Sequence, residues 1–272
     1  MVRNLDREGL KSIVKDYELF FVDLWGVVHN GIKLYENAIE ALNKINEEKK
    51  QYILLTNAPR PNRNIKAFLS KMGMHKNILE NVYTSGEAAL NYLRKNFSDK
   101  KFFHIGPPKD FDLFFDFSNQ KTENINDCNY FLCTGLFDKH DEDLNYYKEL
   151  LNKFISKKMI CTNPDLIVDR GKKREFCAGS VAVIFEKMGG EVVYFGKPFP
   201  EVYKQSVVNN ERNVLAIGDN LNTDIKGANN MNYDSMIIKN GIHKGEIEER
   251  GIEEILKNYE VKVNFMQSEL KW

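Results

Sequence analysis

An apolar run that ends at a carboxylate decides the fold; it lies within Glu18-Leu-Phe-Phe-Val-Asp23-Leu-Trp-Gly-Val-Val-His-Asn-Gly31. A strand that is apolar on both faces is typical of the buried middle of a parallel sheet. Asp23 would then lie at the carboxyl edge of that sheet, where open α/β folds bind their ligands. The stretch after Asp23 contains glycine and indicates a turn. The sequence therefore predicts a ligand site at the end of this strand.

Three later segments repeat the pattern of an apolar run that ends in polar residues. They are Tyr52-Ile-Leu-Leu-Thr56-Asn57, Val192-Val-Tyr-Phe-Gly196-Lys197 and Val214-Leu-Ala-Ile-Gly218-Asp219, the last followed by Asp224. Because the carboxyl ends of parallel strands share one edge, we expect these hydroxyl, amide, ammonium and carboxylate groups to meet there. We interpret the set as a phosphate-and-metal site.

In order and spacing, the four segments resemble the motifs of the haloacid dehalogenase (HAD) superfamily, in its class IIA, NagD-like branch. The resemblance extends from Asp23 to Asp224 and thus covers most of the chain. It implies an α/β fold with a doubly wound parallel sheet, the HAD-like Rossmannoid core, formed by residues 1–96 and 192–272. Residues 97–191 would form an inserted α/β cap domain.

Apolar patterns predict individual elements within this frame. In the insert, three strands are expected at residues 102–106, 130–134 and 159–162. The run at residues 192–196 is assigned to the core sheet, as the strand that delivers Lys197. An amphipathic helix is expected over residues 4–17.

For the site, the resemblance implies hydrolysis of a phosphomonoester. Asp23 would attack the phosphorus and form an aspartyl-phosphate. Thr56, Asn57 and Lys197 would bind the phosphoryl group, and Lys197 would also hold Asp23 ionised. Mg²⁺ suits the site because it prefers a few carboxylates together with phosphate oxygens and waters. The expected metal ligands are Asp23, the backbone carbonyl of Trp25, Asp219 and Asp224.

Residue 25 departs from the family pattern, because it is Trp where phosphatases of the superfamily carry a second Asp. That Asp protonates the leaving alcohol and then activates water. An indole donates one hydrogen bond but does not exchange protons at neutral pH. General acid–base catalysis contributes about 10²–10⁴-fold, so the departure predicts a slow phosphatase. His29 is a substitute proton donor, a polar surface residue of the loop or a substrate contact.

Two segments of the insert are the best candidates for substrate contact. They contain Asn163-Pro164-Asp165 and Cys177-Ala-Gly-Ser180. The resemblance implies that an Asn-Pro-Asp loop and a helix start with small residues face the core site, so Asp165 and Ser180 are expected to bind substrate. The alternative is that Asn163-Pro164-Asp165 is an ordinary turn.

Composition limits the partners. The 39 Lys and Arg residues balance the 39 Asp and Glu residues, so no net field favours nucleic acid or an anionic membrane. No early apolar segment is long enough for a signal peptide or a membrane span, which predicts a cytoplasmic protein. The four cysteines form no C-x-x-C pair and are expected to be buried, reduced thiols; a zinc site is the alternative. The expected partner is a small phosphorylated metabolite, sugar- or nucleotide-like; homodimerisation is left open.

Two other functions remain open from the residues alone. Trp25 favours a phosphometabolite-binding protein with little turnover. Displacement at a carbon centre by Asp23 is the other, but it needs no Mg²⁺, and the acidic pair Asp219 and Asp224 argues against it.

Overall fold

The computed structural model describes residues 2–170, 173–207 and 213–272. In this part of the chain the strands are β1 (Arg3–Asn4), β2 (Leu19–Val22), β3 (Gln51–Thr56), β4 (Val82–Thr84), β5 (Phe102–Ile105), β6 (Tyr130–Cys133), β7 (Lys158–Cys161), β8 (Ile167–Arg170), β9 (Lys173–Phe176), β10 (Glu191–Tyr194), β11 (Val214–Gly218), β12 (Asp234–Ile238) and β13 (Phe265–Gln267).

The α-helices are α1 (Glu36–Glu47), α2 (Asn62–Lys71), α3 (Lys76–Leu79), α4 (Ser85–Asn96), α5 (Pro108–Phe111), α6 (Leu144–Leu151), α7 (Ala178–Lys187), α8 (Pro200–Ser206), α9 (Lys226–Asn230), α10 (Lys244–Arg250) and α11 (Ile252–Asn258). Shorter 3₁₀ segments are Leu10–Ser12, Val14–Asp16, Asp112–Gln120, Ile125–Asp127 and Asn152–Phe154, and Leu221–Ile225 is a π-helical turn. Among the helices of the described ranges, none is both long and apolar enough to cross a bilayer.

A seven-stranded sheet has the order β1-β13-β12-β11-β2-β3-β4. The pairs from β1 to β3 are parallel. From β2 the chain order runs outward to β3 and β4, and from β11 it runs the other way to β12 and β13. β2 and β11 therefore flank the switch point of a doubly wound sheet, beyond whose carboxyl ends such folds bind ligands. The predicted fold class is confirmed.

The strands at the switch point form because their sequences are apolar on both faces. All residues of β2 and β11 are buried. Val22 pairs with Ile217, and the Asp23 N–H donates to the Ile217 carbonyl at 2.9 Å. The two strands thus end at the same level of the sheet.

The insert has its own parallel sheet, in the order β10-β7-β6-β5, and an antiparallel hairpin of β8 and β9. β5, β6 and β7 confirm the three strands predicted there. The four cysteines are buried, as predicted, and are free thiols.

The assignment of residues 192–196 to the core sheet is wrong. Val192 pairs with Met159, so β10 is the edge strand of the second sheet. The physical reason is local. Helix α7 returns the chain from the hairpin to the free edge of β7, and β10 pairs with that edge in parallel. Its apolar residues are only half-buried, as expected at an edge.

Contacts divide the chain into two compact units, which are Met1–Thr56, Arg63–Tyr83 and Lys197–Trp272 for the first, and Asn57–Asn62 and Thr84–Gly196 for the second. By this division α4 groups with the second unit. The domain limits at residues 97 and 191 remain a prediction.

The helix predicted over residues 4–17 is also wrong. Arg3–Asn4 pairs with β13 as an edge strand, and two 3₁₀ turns follow. Gly9 has φ +74°, a left-handed conformation that ends any regular helix there. The apolar residues of the segment are nevertheless buried in the core of the first unit, so the periodicity marked burial and not helix.

Candidate active site

A buried lysine joins two carboxylates in the first unit. Lys197 Nζ donates to Asp23 Oδ1 and to Asp224 Oδ1, each at 2.6 Å. The side chains of Lys197, Asp23 and Asp224 are 5, 10 and 4 % exposed. Asp23 follows β2, and Asp224 lies in the π-helical turn after β11, so the switch point of the sheet positions both acids. Short, charge-assisted bonds of this kind are the strong ones.

Asp219 completes an acidic cluster. It follows β11 directly, and its Oδ2 accepts a hydrogen bond from the Ile242 N–H at 2.9 Å. One carboxylate oxygen from each of Asp23, Asp219 and Asp224 lies within 4.8 Å of the other two. Three oxygen donors at this spacing suit a hard divalent cation such as Mg²⁺. Sequence reasoning predicted that these residues would meet.

Three glycines allow the acids to lie directly against the backbone, which sequence reasoning missed. A Cβ at Gly26 would lie 2.2 Å from Asp219 Oδ2, and one at Gly241 would lie 2.1 Å from Asp219 Cβ. At Gly218 a Cβ would lie 2.1 Å from Asp224 Cγ. Gly26 also has φ +82°, so the turn after Asp23 requires glycine twice over. The available signal was the position of each glycine beside a strand end.

Burial and mutual repulsion dominate the electrostatics of the cluster. Burial and the charges of Asp23 and Asp224 raise the pKa of Asp219 well above its usual range. Burial raises the pKa of Asp224 to about 6, although Lys197 opposes the shift. Burial alone would lower the pKa of Lys197, but Asp224 and Asp23 outweigh it and the pKa is raised. One ammonium thus faces three carboxylates, and a divalent cation would balance the remaining charge.

Hydrogen bonds to the side chain and the backbone of His29 fix the turn after Asp23. His29 Nδ1 accepts a hydrogen bond from the Gly31 N–H at 2.9 Å, and the Gly26 N–H donates to the His29 carbonyl at 2.8 Å. Burial lowers the pKa of His29 to about 4, so the imidazole is neutral near pH 7. These observations favour a role for His29 in fixing the turn; its role as proton donor remains a prediction without support from this geometry.

The Trp25 side chain is 38 % exposed and packs over Gly31, where a Cβ would lie 2.5 Å from the indole. Within the described residues, no hydrogen bond reaches the Trp25 carbonyl oxygen. That oxygen is therefore available as the metal ligand that the family resemblance implied.

The remaining predicted site residues divide between the two units. Thr56 ends β3, which lies beside β2 in the sheet, and is buried. In the second unit Asn57 Nδ2 donates to Asp165 Oδ1 at 2.8 Å. The Ser180 hydroxyl donates to the Leu166 carbonyl at 2.6 Å, which ties the start of α7 to the loop. The structure thus brings Asn57 and Asp165 together, while the hydroxyl of Ser180 bonds to the backbone.

Two family profiles match the chain. The profile described as haloacid dehalogenase-like hydrolase matches residues 20–117. A second, described as HAD-hydrolase-like, matches residues 194–260. Together they contain every member of the acidic cluster and Lys197.

Similar proteins cover nearly the whole chain. An acid sugar phosphatase of Staphylococcus saprophyticus is 24 % identical over 261 residues, which cover 88 % of this chain and 93 % of that protein. A haloacid dehalogenase-like family hydrolase from Brucella suis superimposes with a TM-score of 0.79 at 29 % identity, covering 96 % of this chain and 98 % of its own. A 4-nitrophenylphosphatase from Thermotoga maritima has a TM-score of 0.72 at 24 % identity, covering 95 and 96 %; at this identity the likeness concerns the fold.

Proposed function

Because the chain belongs to the haloacid dehalogenase-like hydrolases, we propose that it is a Mg²⁺-dependent phosphatase of a small phosphorylated metabolite, with Asp23 as the nucleophile. A similar protein of comparable length is an acid sugar phosphatase, which supports a substrate of sugar-phosphate or nucleotide-phosphate size. The metabolite itself is left open.

The observation that carries the proposal is the buried group of Asp23, Lys197, Asp219 and Asp224. Lys197 bonds to Asp23 at 2.6 Å, which favours the ionised carboxylate that a nucleophile requires. The same ammonium can neutralise charge on a phosphoryl group bound at Asp23. An acid buried at a strand end for purely structural reasons would not need two further carboxylates beside it.

The reaction would take two displacements at phosphorus. In the first, a carboxylate oxygen of Asp23 forms a bond to phosphorus, the ester P–O bond breaks, and the alcohol leaves with a proton taken from solvent. In the second, water attacks phosphorus, the bond to Asp23 breaks, and phosphate and the free carboxylate result. Asp23, Asp219, Asp224 and the Trp25 carbonyl would hold Mg²⁺, which when bound supplies positive charge between carboxylate and phosphate.

A second candidate function rests on Trp25. Without a carboxylate at residue 25, both proton transfers lose about 10²–10⁴-fold of assistance. A protein that binds a phosphometabolite and hardly turns it over would keep the same cluster. The two functions differ in turnover and not in binding.

A panel of sugar phosphates, nucleotides, phosphoglycolate and pyridoxal phosphate tests the proposal. Phosphate release would be measured with and without Mg²⁺, for the wild type and Asp23→Asn. We expect Mg²⁺-dependent release that is lost in Asp23→Asn. Compounds that raise the melting temperature without any release would favour the binding protein, and release that chelation leaves unchanged would contradict the metal requirement.

A further inference from the structure

The indole of Trp25 is built into the turn that carries the proposed nucleophile. Trp25 follows Asp23 by two residues, and the next residue, Gly26, lies directly against Asp219. Leu24, Val27 and Val28 are buried in the core of the first unit and anchor the turn. The position of the indole is thus linked through a rigid backbone to the acidic cluster.

Two residues hold the indole in one orientation. At Gly31, which has φ +84°, a Cβ would clash with the indole ring. His29 packs edge-on against the indole, with ring centroids 5.4 Å apart, and bonds to the Gly31 N–H. Trp25, His29 and Gly31 therefore form one locked group, so the indole is more than a loop residue with free rotamers.

The exposed part of this group is aromatic and apolar. Phe68 of α2, 39 % exposed, packs edge-on against His29 with centroids 5.9 Å apart. Trp25 and Phe68 thus both pack against the buried imidazole. A rigid aromatic surface of this kind offers dispersion and stacking contacts to a flat molecule.

Residue 25 is the position of the general acid in phosphatases of the superfamily, so its identity affects which leaving groups can depart. An alkyl alcohol is about as weak an acid as water and leaves readily only when it is protonated in the transition state. A phenol, with a pKa of about 10 as in tyrosine, can leave as an anion. The Trp25 indole is not a suitable acid, and the His29 ring is engaged in the turn, where its Nδ1 accepts a hydrogen bond from the Gly31 N–H at 2.9 Å.

We infer that the substrate is a phosphate monoester of a planar, acidic hydroxyl group, of which a phenol is the simplest, and that Trp25 packs against the leaving group in place of a general acid. This inference rests on the proposed function. It separates this chain from enzymes that act on ordinary sugar phosphates, whose leaving groups are alkyl alcohols.

The test is the dependence of kcat/KM on the leaving group. The probes are 4-nitrophenyl phosphate, phenyl phosphate and glucose 6-phosphate with Mg²⁺. The variants are Trp25→Asp, which restores an acid, and Trp25→Asn, which has the same size without one. For the wild type we expect kcat/KM to be lower for glucose 6-phosphate than for phenyl phosphate by about 10²-fold or more.

We expect the rate on glucose 6-phosphate to be about 10²-fold higher in Trp25→Asp than in Trp25→Asn, because the two side chains differ only in the acid. Equal wild-type rates on the two esters, or an equal gain in both variants, would overturn the inference. Tyr35→Phe is a further variant to test, because burial and the charge of Asp219 raise the pKa of that phenol. A selective loss on glucose 6-phosphate in Tyr35→Phe would reveal a proton donor and also overturn the inference.

The packing contact is tested separately with Trp25→Phe and Trp25→Leu. We expect a KM for phenyl phosphate near that of the wild type with Phe and about three- to tenfold higher with Leu, because only Phe keeps a flat ring. Equal KM values would remove the packing role. Failure of the proposed function is distinguishable, since the wild type would then release no more phosphate than Asp23→Asn from any probe.

Discussion

Replacing Lys197 with methionine would leave the acidic cluster without its internal cation. In the folded protein the ammonium bonds to Asp23 and Asp224, each at 2.6 Å, and all three side chains are at least nine-tenths buried. Methionine has a similar length but no charge. Three carboxylates would then face one another within 4.8 Å.

The expected cost follows from the burial of the pair. Removing one partner of a buried ion pair costs about 3–5 kcal/mol, because the other charge stays desolvated. For a chain of this size the melting temperature shifts about 2–4 °C per kcal/mol, so we expect a fall of about 6–20 °C at pH 7.5. The loss should shrink below pH 6, since protonated carboxyls no longer repel. Because the pKa of Asp224 in the folded protein is raised to about 6, the free energy of unfolding increases as the pH falls through 6.

The assay is thermal unfolding followed by circular dichroism between pH 5 and pH 8. Lys204→Met is the matched control, because Lys204 is exposed and lies 3.7 Å from Glu201 in a surface pair that contributes about 0–1 kcal/mol. A melting temperature of Lys197→Met within 2 °C of the control at pH 7.5 would refute the reasoning. A loss that does not depend on pH would refute its electrostatic part.

Three further predictions concern the same turn and cluster. Burial lowers the pKa of His29 from 6.5 to about 4, so the unfolded chain binds a proton before the folded protein does, and the free energy of unfolding falls by up to about 3 kcal/mol as the pH drops from 6.5 to 4. In urea unfolding, His29→Gln should lose less stability over this pH range than the wild type, whereas the exposed control His75→Gln should not differ from it. Gly26→Ala should abolish stabilisation by Mg²⁺, because its Cβ would lie 2.2 Å from Asp219 Oδ2. The control is Gly73→Ala, at φ +93° with open space around it, which should only lower the free energy of unfolding by about 1 kcal/mol. Retained Mg²⁺ stabilisation in Gly26→Ala would contradict this prediction. Stabilisation by a fixed Mg²⁺ concentration should grow from pH 5 to pH 7 as Asp224 loses its proton at about pH 6, and a melting-temperature gain that is constant with pH would count against carboxylate ligation.

The central strands were predictable because their sequences admit one interpretation. Leu19–Val22 and Val214–Gly218 are apolar on both faces and end at acids, so burial and direction followed from pattern alone. Asp23, Asp219 and Asp224 meet as expected because the two strands are neighbours in register.

Other features are not determined by the local sequence. β10 has the same apolar character as a core strand, and only the free edge of β7 decides its sheet. Arg3–Asn4 is a strand because it pairs with Phe265–Gln267, near the other end of the sequence. The role of Gly26 depends on contact with Asp219, which lies almost two hundred residues away in sequence.

The most direct test of the central claim is to trap the phosphoryl group on Asp23. The wild type would be mixed with 4-nitrophenyl phosphate and Mg²⁺, quenched in acid within the first turnovers, digested, and analysed by mass spectrometry. Since Trp25 cannot activate the water of the second step, the aspartyl-phosphate should accumulate, and the peptide with Asp23 should carry one phosphoryl group that is absent from Asp23→Asn. Turnover without any phosphorylated peptide, or with the group on another residue, would contradict the account.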